Sequence, residues 1–140
     1  MDHSKKTNKW DKTYMGMAEL IAQHSHAVRN KVGAILVKDN RVISVGYNGT
    51  PQGFNNDCED QEGNTKKEVL HAESNAISKC AKSTESSENS TLYVTLSPCI
   101  ECAKLIIQCG IDRVVYKEKY RDESGTTLLI VAGVQVQQLQ

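Results

Sequence analysis

Aromatic side chains are scarce in this chain, and a surplus of charge is missing altogether. One Trp and one Phe stand among 140 residues, and 17 basic residues balance 17 acidic ones. A protein that holds single-stranded nucleic acid needs a basic groove and a series of aromatic platforms for the bases. This composition supplies neither, so stable nucleic-acid binding is not expected. No apolar run approaches the ~18 residues of a membrane span, the longest being Leu128 to Ala132. No apolar signal segment marks the N-terminus, which predicts a cytoplasmic protein without a membrane partner. The cysteines are Cys58, Cys80, Cys99, Cys102 and Cys109, an odd set that argues against a disulfide framework.

What the chain does contain is enough for one core, since this length buries roughly 68–70% of its unfolded surface. Residues 1–9 carry no large apolar side chain after Met1 and predict a flexible N-terminus, with a single domain over 10–140. Tyr14, Met17, Ala18, Ile21 and Val28 recur at helical steps, predicting an amphipathic helix from Asp11 to about Val28. His24 and His26 differ by two positions and point to different sides, which disfavours a metal pair. Val32 to Val37 and Arg41 to Tyr47 flank the turn residues Lys38, Asp39 and Asn40 and predict a hairpin. Gly46 to Gly53 holds three glycines and a proline, predicting a loop that is neither strand nor helix and whose N–H groups can approach a ligand.

Asn55 to Lys67 is polar and reads as a surface excursion, with Cys58 a small side chain within it. A helix is expected from His71, with Ala72, Ala76, Ile77 and Cys80 on its buried side, and a solvated loop over Lys82 to Ser90. Thr91 to Thr95 predicts a strand. Ser97 as N-cap, Pro98 at the first helical position and Gly110 at the C-terminal end predict a helix over 98–109. Asp112 to Tyr116 predicts a strand, Gly125 to Ala132 a helix ended by Gly133, and Val134 to Val136 an edge strand. Strands joined through helices imply a three-layer α/β/α sandwich around a mixed sheet of about five strands.

Two stretches carry chemistry: His71-Ala72-Glu73 and Pro98-Cys99-Ile100-Glu101-Cys102. One imidazole and two thiols make three zinc ligands with an open fourth position, and a carboxylate stands beside them. Structural zinc sites close all four positions, so this set reads as catalytic; a structural clip would need a fourth ligand that the neighbourhood of Cys99 does not offer. The spacing is the signature of zinc-dependent nucleobase deaminases, in which zinc activates a water and the Glu moves protons. Cys99 and Cys102, at i and i+3, share one face of a helix start, where the helix dipole favours thiolates.

Together with Gly46-Tyr47-Asn48-Gly49, Lys31-Val32-Gly33-Ala34 and Asn75 after Glu73, these motifs resemble the deoxycytidylate (dCMP) deaminase family over about Tyr14 to Val134. The resemblance implies a cytidine-deaminase-like fold and hydrolysis of dCMP to dUMP and ammonia, supplying thymidylate synthesis. It implies zinc on His71, Cys99 and Cys102, proton transfer by Glu73, and a homo-hexamer activated by dCTP and inhibited by dTTP. It suggests that Asn48 holds the substrate sugar and gives Ser97 a place in the substrate site. Arg29, Asn30 and Lys31, with Gly46, Tyr47 and Gly49, are expected to bind the effector nucleotide, whose triphosphate would bring Mg2+.

Tyr120 can stack on the pyrimidine and Arg121 can bind the 5′-phosphate; a solvated loop with a half-buried tyrosine explains the same residues equally well. Three other readings stay open on sequence alone. They are a deaminase of free nucleosides, one of bases in single-stranded nucleic acid, and a non-catalytic zinc-stapled nucleotide sensor.

Overall fold

The computed structural model describes residues 3–140, with side chains from Lys9 onward. Helix α1 runs His3–Ala22, followed by β1 Gly33–Lys38, β2 Arg41–Tyr47, α2 Ala72–Ala81, β3 Thr91–Leu96, α3 Ile100–Gln108, β4 Arg113–Glu118, α4 Ser124–Val131 and β5 Gln135–Gln138. The strands form one sheet in the order β2-β1-β3-β4-β5. β1 is antiparallel to both β2 and β3, whereas β3, β4 and β5 run parallel, so the expected mixed five-stranded sheet is present.

Strand alternation sorts the core into two layers. Ala34, Leu36, Leu92, Val94 and Val114 point to the face covered by α2, α3 and α4, where they meet Ala72, Ala76, Ala103, Ile106 and Leu129. Ile35, Val37, Tyr93 and Val115 point the other way, onto Tyr14, Met15 and Ala18 of α1. Beneath α1 lies a polar knot. Asp11, fully buried, accepts two bonds from the Arg113 guanidinium (2.9 and 2.8 Å) and one from the Tyr93 hydroxyl (2.6 Å), and Arg113 also donates to Gln137.

The strands after β2 and helix α4 lie within two residues of their expected bounds, and the larger differences from the sequence expectations have physical reasons. The first helix starts at His3, ahead of Trp10, because polar helix formers extend a helix that is already nucleated without needing apolar contacts. It ends at Ala22, where the N–H groups of Gln23, His24 and Ser25 close on the carbonyls of Leu20, Ile21 and Ala22. Val28, at the right helical spacing, is instead 86% exposed on a loop. Gly46 and Tyr47 end β2, as the strand expected over Arg41 to Tyr47 has them, so the loop expected from Gly46 begins only after Tyr47. A Cβ on Gly46 would stand 2.5 Å from both the Ala72 carbonyl oxygen and the Ala76 nitrogen, so this glycine serves close strand–helix packing. Finally, α3 begins at Ile100 with Cys99 as N-cap, two residues later than Ser97 and Pro98 predict.

Candidate active site

Both ligand stretches enter helices from extended backbone. His71 is the N-cap of α2 (φ −75°, ψ 159°) and Cys99 the N-cap of α3 (φ −74°, ψ 171°), which turns each side chain back towards the other helix start. The chain entering His71 is held by a two-way bridge, Gly49 N–H to the Leu70 carbonyl (3.1 Å) and Leu70 N–H to the Gly49 carbonyl (2.7 Å). The chain around Cys99 is backed by α4: a Cβ on Gly125 would overlap the Pro98 carbonyl oxygen and stand 2.7 Å from the Cys99 carbonyl carbon.

His71 Nδ1 lies 3.3 Å from Cys102 Sγ and 3.4 Å from Cys99 Sγ. All three donor atoms fall within 4.8 Å of one another. Zinc bonds of ~2.3 Å to sulfur and ~2.0–2.1 Å to nitrogen put the donors of a tetrahedral site about 3.5 Å apart, so this spacing fits the ion. The protonation chemistry fits as well. Hydrogen bonds from Cys102 and His71 hold the Cys99 thiol down at about 3, while the neighbouring Cys99 sulfur and burial push Cys102 up. A cation replacing the proton shared between them would relieve that contest. Glu73 is 4% exposed, and burial raises its carboxyl to about 7, the range in which a group can both take and give a proton at neutral pH.

These groups open on a cavity of about 420 Å³. His71, Glu73 and Cys99 line it, and so do the expected substrate residues Asn48, Ser97, Tyr120 and Arg121. Arg29 and Asn30, expected in an effector site, line the same cavity. Lys31, Gly46, Tyr47 and Gly49 do not. Tyr47 is on the outer side of α2, with Lys79 Nζ 5.5 Å from its ring centre and the His24 ring 6.1 Å away. Cys102 sits behind the cavity, and Cys80 and Cys109 bond backbone carbonyls far from the cluster, as core residues do.

Several of these side chains act on the protein itself. Asn48 Oδ1 accepts from Val32 N–H (2.8 Å) and its Nδ2 donates to the Asn30 carbonyl (2.7 Å), which shapes the loop before β1. Ser97 Oγ accepts from Tyr120 N–H (2.7 Å) and thereby places the Tyr120 loop over the cavity instead of capping α3. Asn75 donates to the Tyr47 carbonyl (2.9 Å), tying α2 to the end of β2.

The comparisons agree with this geometry. The family model described as the cytidine and deoxycytidylate deaminase zinc-binding region matches residues 8–118. The chain belongs to this family. A solved dCMP deaminase of cyanophage S-TIM5, in complex with dCMP and dUMP, is 46% identical with a TM-score of 0.91, covering 93% of this chain and 96% of that one. The deoxycytidylate deaminase of Mycobacterium phage D29 is 40% identical over 79% of this chain and 95% of its own length. That of Schizosaccharomyces pombe is 40% identical over 92% of this chain, and this chain spans 44% of its length.

Val32, from the quoted motifs, lines the cavity too, and for a member of the deaminase family that cavity has further walls that the motifs did not indicate: Ala27, Glu59, Thr65, Val69, Leu96 and Cys58, which is buried rather than a surface side chain. Leu96 is the apolar neighbour of Ser97 and could have been proposed. Glu59 and Thr65 lie in a polar stretch whose composition resembles any surface loop.

Proposed function

We propose that this chain is a cytoplasmic zinc-dependent dCMP deaminase that supplies dUMP for thymidylate synthesis. The observation that carries the reading is the His71, Cys99 and Cys102 cluster with buried Glu73 at one end of a cavity that also holds two arginines. The relative solved with dCMP and dUMP supports the choice of substrate. Zinc held by His71, Cys99 and Cys102 would supply a Lewis acid that lets a water ionise near neutral pH. Glu73 takes that water's proton and delivers it to N3 as the oxygen adds to C4 of the cytosine ring. It then takes the proton of the new hydroxyl and gives it to the amine; the C4–N bond breaks, ammonia leaves and uracil remains.

Asn48 and Ser97 shape the wall around the sugar, Tyr120 stacks on the base and Arg121 binds the 5′-phosphate. Activation by dCTP with Mg2+, inhibition by dTTP, a role of Lys31, Gly46, Tyr47 and Gly49 in effector binding, and a homo-hexamer complete the reading.

Ammonia release from dCMP, CMP and deoxycytidine, each alone, with dCTP and Mg2+, and with dTTP, tests it. The expected result is turnover of dCMP that rises with dCTP and falls with dTTP. Equal turnover of deoxycytidine points to a salvage enzyme, and no turnover of any of them removes the reading in favour of a sensor or a nucleic-acid substrate. Glu73→Gln should lower kcat by a factor of at least ~10²–10⁴ while zinc content, measured by atomic absorption, stays at that of the wild type.

A further inference from the structure

The loop between α1 and β1 forms one wall of the cavity, yet no helix or strand holds it. Three side chains do, Ser25 from within the loop and Asn48 and Glu59 from further along the chain. Ser25 Oγ accepts from Ala27 N–H (3.1 Å) while donating to the Asn48 carbonyl (2.7 Å), and Asn48 binds the loop at Asn30 and Val32. The third is Glu59, 30 residues further along the chain from Arg29. Its Oε2 accepts from the N–H groups of both Val28 (3.0 Å) and Arg29 (3.2 Å). Glu59 is itself braced, because its excursion folds back through the Glu59–Thr65 bridge and the bond from Lys66 N–H to the Cys58 carbonyl (2.8 Å).

What this carboxylate fixes is the base of Arg29. Arg29 is among the residues that line the cavity, and its guanidinium makes no hydrogen bond or ion pair among the described residues. Beyond the clamp lies a second cavity of about 360 Å³ that shares Arg29, Cys58 and Glu59 with the first, so the clamp is the partition between the two. A flexible cation on an unpinned loop would divide its time between both spaces, and ordering it on substrate binding would cost conformational entropy.

We infer that Glu59 is a positioning residue: by bonding the Val28 and Arg29 N–H groups it holds the Arg29 guanidinium in the substrate cavity, where it grips the phosphate of a nucleoside monophosphate alongside Arg121. This deepens the reading of the chain as a dCMP deaminase and rests on it for the identity of the substrate. A phosphate grip that is the same in ground and transition states acts on KM and leaves kcat, and that is the split the inference requires.

The test is a cycle of wild type, Glu59→Ala, Arg29→Ala and the double variant, each assayed with dCMP and with deoxycytidine. Glu59→Ala should raise KM for dCMP about tenfold, the loss of one charge-assisted bond, with kcat changed by less than about threefold. It should leave kcat/KM for deoxycytidine within about twofold, and in the Arg29→Ala background the KM effect should vanish. A KM effect that persists at full size without Arg29, or that falls equally on dCMP and deoxycytidine, overturns the inference.

Should Glu59→Ala not fold, Glu59→Gln, which keeps one acceptor oxygen, carries the same cycle with a KM rise of about threefold that again must vanish without Arg29. Amide hydrogen exchange at Val28 and Arg29 separates the two levels of the argument. If the wild type turns over neither substrate, the assignment to dCMP fails; faster exchange at these amides in the variant then still supports the clamp, and unchanged exchange overturns it.

Discussion

At the level of single residues, chemistry is written more plainly than positioning. That His71, Cys99 and Cys102 come together beside Glu73 was legible because a metal site with a neighbouring acid demands particular side chains at particular spacings, and no core position imitates that pattern. Ser97 was misread as a cap because a serine two residues ahead of a helix satisfies the local rule. Its hydroxyl is instead taken by Tyr120 N–H from a loop 23 residues away, a partner that no local rule contains. Asp11 shows the same limit more sharply. In the sequence it begins a helix, whereas in the fold it is buried against Arg113 and Tyr93. Asp11→Ala would leave the Arg113 charge buried without its carboxylate, which should cost about 3–5 kcal/mol in urea unfolding. Pairing it with Arg113→Met should recover much of the loss, since removing both charges leaves no unpaired ion.

Elements were legible where their signal is local. The hairpin followed from two apolar runs around Asp39 and Asn40, whose positive φ values of 52° and 58° suit Asp and Asn, and the end of α3 from Gly110 at φ 87°. Signals failed where two elements press together. Gly46 looked like loop material and is the point at which β2 passes under α2, while Gly125 looked like an ordinary helix start and is where α4 touches the chain bearing Cys99. A glycine's lack of a Cβ serves a turn and a close approach alike, so the sequence could not tell them apart.

Element packing therefore controls the ligands. Gly125→Ala should cost about 1–3 kcal/mol of overpacking, because backbone of the Pro98–Cys99 segment has to move. As Cys99 moves with it, zinc affinity measured by competition with a chromophoric chelator should fall, whereas the alanine substitution of Gly133, which has open space around it but a φ of 90°, should cost stability without touching zinc affinity.

At the level of the molecule, the candidate metal cluster is also a structural tie. His71 enters α2 from the excursion after β2, and Cys99 and Cys102 enter α3 from the end of β3, so one ion would join two helices that reach the sheet from different strands. Without it the two thiols are pushed apart in acidity, Cys99 held down by its bonds to Cys102 and His71 and Cys102 pushed up by Cys99 and burial. An ion bound by the folded chain and not by the unfolded one raises stability by mass action, about 4 kcal/mol at a free concentration 1,000 times its Kd. A strong chelator should accordingly lower the melting temperature, and added zinc should restore it. Cys102→Ser, with a ligand removed, should melt near the chelated wild type and respond little to either reagent. Glu73→Gln should respond to both as the wild type does if, as proposed, its carboxylate moves protons and does not hold the metal; an equal loss of response in Glu73→Gln would make Glu73 a ligand and take away the base on which the proposed hydrolysis depends.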